Sequence, residues 1–121
     1  MKTHISKSRT YAQFYASQGK YKNKKVEVDG VTFASKAEAT RYAHLKLLVR
    51  IGEITELELQ PRYPLVVNGK RVATYVADFR YRVVATQEVV VEDVKGVRTP
   101  VYRMKKKLLE AIDGTKITEI G

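Results

Sequence analysis

Residues 87–95, Gln-Glu-Val-Val-Val-Glu-Asp-Val-Lys, narrow most sharply what this chain can fold into. Side chains alternate across a strand. Here both faces are apolar, with Val89 and Val91 on one side and Val90 and Val94 on the other. Such a strand belongs inside a sheet that is covered on both faces. Gly96 ends it. Thr99 and Pro100 then supply an N-cap and a proline at the first helical position. The predicted helix runs to about Ile112 on a stripe of Val101, Met104, Leu108, Ala111 and Ile112. Asp113-Gly114 stops it, and residues 116–120 read as a last short strand. A strand, helix and strand joined this closely pair in parallel with a right-handed crossover. The expected fold is therefore a sheet flanked by helices.

The upstream sequence completes an αβββαβ order. Residues 25–33 read as a hairpin about Asp29-Gly30. Ser35 caps a predicted helix over 36–50, with Ala37, Leu45, Leu48 and Val49 as apolar positions. Residues 54–59 alternate as a strand that Pro61 interrupts, and 63–67 resume it. Asn68-Gly69 turns the chain into a longer strand over 72–84. The expected class is α/β, a mixed α+β sheet with helices, over residues 25–121. At 121 residues the chain amounts to about one domain.

Residues 1–24 stand apart as a basic, aromatic-containing N-terminal arm. They include Arg9, Lys22, Lys24, Tyr11, Phe14 and Tyr15. Two readings hold for them: an arm ordered by DNA or by a partner subunit, or a short helix near 9–18 packed on the core.

Charge points to the partner. Lys and Arg number 23 against 13 Asp and Glu, a net charge of +10. Residues 1–26 carry seven basic side chains and no acid, and residues 95–107 carry six and no acid. Such blocks suit a polyanion, nucleic acid before membrane. The absence of cysteine excludes disulfide staples, zinc ribbons and thiol nucleophiles. The apolar runs are too short for a membrane span, and the N-terminus lacks the apolar stretch of a secretory signal. A cytoplasmic location is the expectation.

Three acids and a lysine carry the chemical interest. Asp78 sits in the middle of a predicted strand, where Asp is disfavoured. It is either paired with Arg80 on its own face or is a ligand. Asp93 and Lys95 share a face of the apolar strand, and Glu92 points the other way. They are either an ion pair at the strand end or part of a magnesium site, which typically takes one or two carboxylates plus substrate phosphate. Ser35-Lys-Ala-Glu38 is a capping box. Glu38 also opens a stripe through Tyr42, Leu45 and Val49 that faces the sheet. Capping and service at the acidic pair are both open to it.

The order of these features resembles the PD-(D/E)XK nuclease superfamily: a helix with Glu, a strand with Asp, then a strand ending Asp/Glu-x-Lys. The matching positions are Glu38, Asp78 and Asp93-Val94-Lys95. Leu59-Gln60-Pro61, Tyr75-Val-Ala-Asp-Phe-Arg-Tyr81 and Val91-Glu-Asp-Val-Lys-Gly96 look like a small phage-encoded group within it. Ala77 stands where the superfamily's name has Pro. The resemblance implies a restriction-endonuclease-like core and Mg²⁺ (or Mn²⁺) held by Asp78, Asp93 and the Val94 carbonyl, with Glu38 assisting. Lys95 would activate the attacking water. The implied protein is a DNA endonuclease of the phage-infected bacterial cytoplasm. Within that class a homodimeric Holliday-junction or branched-DNA resolvase is favoured; the alternatives are a nicking or restriction-type nuclease, or a non-catalytic nucleic-acid-binding protein. Arg9, Lys22, Lys24, Arg80, Arg98, Arg103, Lys105, Lys106 and Lys107 are the candidate DNA contacts. Among these, Arg103, Lys106 and Lys107 are expected to point outward, and Lys105 to border the stripe. Gln60 and Tyr102 are possible accessory residues.

Overall fold

A computed structural model describes residues 24–121. Arg9, Lys22 and nearly all of the predicted arm lie outside the described residues. The elements are β1 (Val26–Val28), β2 (Val31–Phe33), α1 (Lys36–Arg50), β3 (Ile54–Leu59), β4 (Arg62–Val67) and β5 (Lys70–Val76). They continue with β6 (Phe79–Val83), β7 (Val89–Val94), α2 (Pro100–Asp113) and β8 (Ile117–Ile120). This is the mixed α/β architecture expected.

The central sheet has the order β3-β6-β7-β8. β3, β6 and β7 pair antiparallel, and β7 and β8 pair parallel. The doubly apolar strand is thus internal, and its parallel partner follows the helix as the sequence requires. The turns form where the sequence places them. Asp29 and Gly30 both have positive φ (54° and 78°), as do Asn68 and Gly69 (51° and 79°). Positive φ at both central residues is the mark of the type I′ turn that matches strand twist.

One predicted strand is broken. Residues 72–84 do not run through but divide into β5 and β6 about Ala77-Asp78. The partner strand divides at the same level, at Gln60-Pro61. Ala77 N–H donates to the Pro61 carbonyl at 3.1 Å, and Gln60 N–H to the Asp78 carbonyl at 2.9 Å. Asp78 N–H already donates to the Glu92 carbonyl at 3.1 Å. Pro61 has no N–H to give, and Gln60 takes a left-handed φ of 52°. Alternation stops at the kink, so Ala77, Asp78 and Phe79 are all buried in succession. Beyond it, β4 and β5 form a separate two-stranded ribbon.

Each face of the sheet has its own core. Under α1 lie Phe33, Tyr42, Leu45, Leu59, Phe79 and Tyr81, with Val90 and Val94 against them. Under α2 lie Leu65, Tyr75, Ala77, Val91, Leu109 and Ile117. α2 turns a different face inward from the one expected. Tyr102 and Leu109 are buried, and Val101, Met104 and Ile112 are exposed. The aliphatic stripe misleads because it leaves out Tyr102, which packs inward with its hydroxyl bonded to Glu119. Val49, likewise placed on the inward stripe of α1, is 40% exposed.

Candidate active site

The three acids and Lys95 converge where the bent hairpin, α1 and the end of β7 meet. Asp78 is buried at the kink, and its Oδ2 accepts a 2.7 Å hydrogen bond from the Val94 N–H. This bond clamps the carboxylate to β7 one residue from Asp93. Arg80 is not its partner; that side chain is exposed and stands 3.8 Å from Glu58. The kink explains the difference, because Asp78 does not share a regular strand face with Arg80.

Asp93 is wholly buried, and neither of its carboxylate oxygens has a hydrogen-bond partner. Lys95 Nζ lies 3.4 Å from its Oδ1, an ion-pair separation, and the lysine side chain is only 10% exposed. The pair is therefore not a surface salt bridge. Removal from water pushes Asp93 up to about 7, although the Lys95 charge opposes the rise. The same loss of solvent pushes Asp78 up to about 6, with Lys95 and the Val94 N–H opposing it.

Glu38 is buried in the first turn of α1. The Ser35 hydroxyl caps the helix by accepting from Glu38 N–H at 3.2 Å. The Glu38 carboxylate is close enough to feel the charges of Asp78, Lys95 and Asp93. Burial first, then the charges of Asp78 and Asp93, raise its pKa well above the ordinary range, and Lys95 partly offsets them. Its capping and its place among the acids thus coexist: the backbone N–H serves one, the side chain the other. Among the described residues, no three His, Asp or Glu form a group that could hold an ion by themselves. A cation here would depend on water and substrate oxygens as well, as Mg²⁺ sites usually do.

Gln60 is buried with its Oε1 unpartnered, on the strained backbone that hydrogen-bonds Asp78. The predicted basic contacts divide into two groups. Lys24, Arg80, Arg103 and Lys107 are exposed. The others among the described residues are engaged: Lys105 Nζ donates to the Thr74 carbonyl at 3.1 Å. Arg98 and Lys106 both hold Glu119, at 2.8 and 3.1 Å. Lys106 therefore does not point freely outward as expected, because the parallel pairing of β8 brings Glu119 beneath it. With Tyr102 O–H also donating at 2.7 Å, Glu119 is held down to about 2.

Sequence reasoning missed a fourth buried acid. Glu92 is 1% exposed on the α1 side of β7. Arg41 grips it with two bonds, Nε to Oε1 at 2.8 Å and Nη2 to Oε2 at 2.5 Å, and Tyr81 O–H donates to it as well. The signal was present: a carboxylate within a valine-rich strand needs a cation, and Arg41 lies one helical turn after Glu38. This clamp ties the start of α1, and with it Glu38, to the strand that carries Asp93.

The chain matches no curated protein. A family model described as a protein of unknown function, DUF1064, matches residues 18–117. The match takes in every described element from β1 to the start of β8 and all four site residues, so the chain belongs to the DUF1064 family.

Proposed function

We propose that this protein is a metal-dependent DNA endonuclease of the PD-(D/E)XK type. The observation that carries the reading is Asp93: a fully buried carboxylate that accepts no hydrogen bond at either oxygen and is paired in charge with Lys95, beside a second buried aspartate. Leaving such a group unsatisfied is costly unless something else completes it. A divalent cation would complete it, and the donor set of hard oxygens suits Mg²⁺ or Mn²⁺. Asp78, Asp93 and the Val94 carbonyl would hold the ion, with Glu38 acting through water. When bound, it supplies Lewis-acid polarisation of a phosphoryl oxygen and a water of lowered pKa. Lys95 would orient an attacking water and would set a positive charge beside the phosphoryl group, where negative charge develops.

Arg80, Arg103 and Lys107 are exposed and would touch phosphates, contacts that position DNA without reading its sequence. A substrate chosen by shape, such as a Holliday junction or another branched DNA, suits such contacts, and a homodimer would cut paired strands. The reaction belongs to the cytoplasm, where such DNA forms during phage recombination. Purified protein with Mg²⁺ is expected to cleave a four-way junction in preference to flap, linear duplex and single-stranded DNA, and to stop on chelation. Equal cleavage of every form would point to a general nicking or restriction-type nuclease. Binding without cleavage in Mg²⁺ or Mn²⁺ would show a non-catalytic nucleic-acid-binding protein.

A further inference from the structure

The Lys95 ammonium has an aromatic neighbour as well as an acidic one. Its Nζ stands 4.4 Å from the centroid of the Tyr102 ring, on the opposite element from its backbone. A lysine side chain has many rotamers, and an electron-rich ring face attracts its charge more strongly the less water surrounds it. The ring itself is fixed at three points. Tyr102 N–H donates to the Thr99 hydroxyl at 3.1 Å, which sets it in the first turn of α2. Its ring packs against Tyr75 at 6.2 Å between centroids. Its hydroxyl donates to Glu119, which Arg98 and Lys106 hold from the other side. Glu119 lies opposite Asp93 in the parallel register of β7 and β8, so the anchor and the acid are neighbours on adjacent strands.

We propose that Tyr102 is a positioning residue for Lys95: its ring face keeps the ammonium beside Asp93, and Glu119 with Arg98 and Lys106 anchors the ring. This rests on the nuclease reading of the site. It also gives Arg98 and Lys106 a role away from DNA.

The test is a series at position 102 with two readouts. In metal-free protein, the Lys95 ε-methylene protons should show an upfield ring-current shift by NMR in the wild type and in Tyr102→Phe. Tyr102→Leu should abolish it. In single-turnover cleavage, Tyr102→Phe should stay within about threefold of wild type. Tyr102→pentafluorophenylalanine keeps the ring's shape and reverses its charge distribution; it should lose roughly tenfold in rate with KM and melting temperature unchanged. A ring that merely packs would not distinguish the last two. Equal rates for the phenylalanine and pentafluorophenylalanine proteins, or no ring-current shift in the wild type, would overturn the proposal. A wild-type protein that shows the shift but cleaves no DNA with Mg²⁺ or Mn²⁺ overturns the nuclease reading instead and leaves Tyr102 as a structural platform for Lys95.

Discussion

Asp93 sets burial against charge more sharply than any other residue here, and pH exposes the conflict. Its carboxyl is raised from an ordinary 3.8 to about 7, and that of Asp78 to about 6. For a raised folded pKa, the folded state holds its proton more tightly than the unfolded chain does. The stabilising contribution is therefore complete below about pH 4 and is lost as pH rises towards 7. Metal-free protein should lose stability across that window, by an amount on the order of a few kcal/mol. Asp93→Asn should melt higher than wild type at pH 8, match it near pH 4, and lose activity. Equal melting of the two proteins at pH 8 would show that Asp93 is not destabilised by its burial. Glu38 permits a second separation. Gln at this position keeps the backbone N–H that Ser35 accepts and deletes the charge. Glu38→Gln should hold its melting temperature within a few degrees and lose at least tenfold in cleavage rate; unchanged cleavage would reduce Glu38 to its helix cap.

The elements show which parts of this site the sequence could reveal. Helix α1, the parallel β7-α2-β8 unit and both type I′ turns follow from local chemistry: a serine cap, a Thr-Pro start, Asp-Gly and Asn-Gly. Asp78 and Asp93 could be picked out because Asp is disfavoured in strands, and Glu38 because it lies on the helix stripe that faces the sheet. The break at Ala77-Asp78 could not, since it depends on Gln60 and Pro61 from another strand at the same level. The inward face of α2 was misjudged because Tyr102 is buried through a hydroxyl partner that lies 17 residues away. The clamp between Arg41 and Glu92 was missed for the same reason, being a contact across 51 residues. Its worth can be measured. Arg41→Ala strands a buried carboxylate, which typically costs about 3–5 kcal/mol. A drop in Tm of the order of 20 °C is expected by thermal melting. A loss of only a degree or two would mean that Glu92 finds water or another cation, and that α1 is held to β7 by apolar packing alone.

The whole molecule carries ten more positive than negative charges, and much of that excess lies in residues 1–26 and 95–107. In the second block Arg98 and Lys106 are taken up by Glu119, and Lys105 by a backbone carbonyl. Phosphate binding should therefore rest more heavily on the first block. Deleting residues 1–24 removes six basic side chains (Lys2, Lys7, Arg9, Lys20, Lys22, Lys24). Each phosphate neutralised contributes about −0.9 to the slope of log affinity against log salt on duplex DNA. The slope should flatten by several units, with cleavage retained at saturating DNA; an unchanged slope would free the arm from DNA contact. No helix among the described residues is long and apolar enough to cross a membrane. Cleavage would depend above all on the buried acids, and its most direct test is the single-turnover rate of Asp78→Asn in Mg²⁺. The substitution keeps the size of the side chain and removes its charge. The rate should fall at least about a hundredfold, a loss of roughly 2.7 kcal/mol of transition-state stabilisation, with the circular dichroism spectrum unchanged. A folded Asp78→Asn protein that cleaves at the wild-type rate would contradict the assignment of this site.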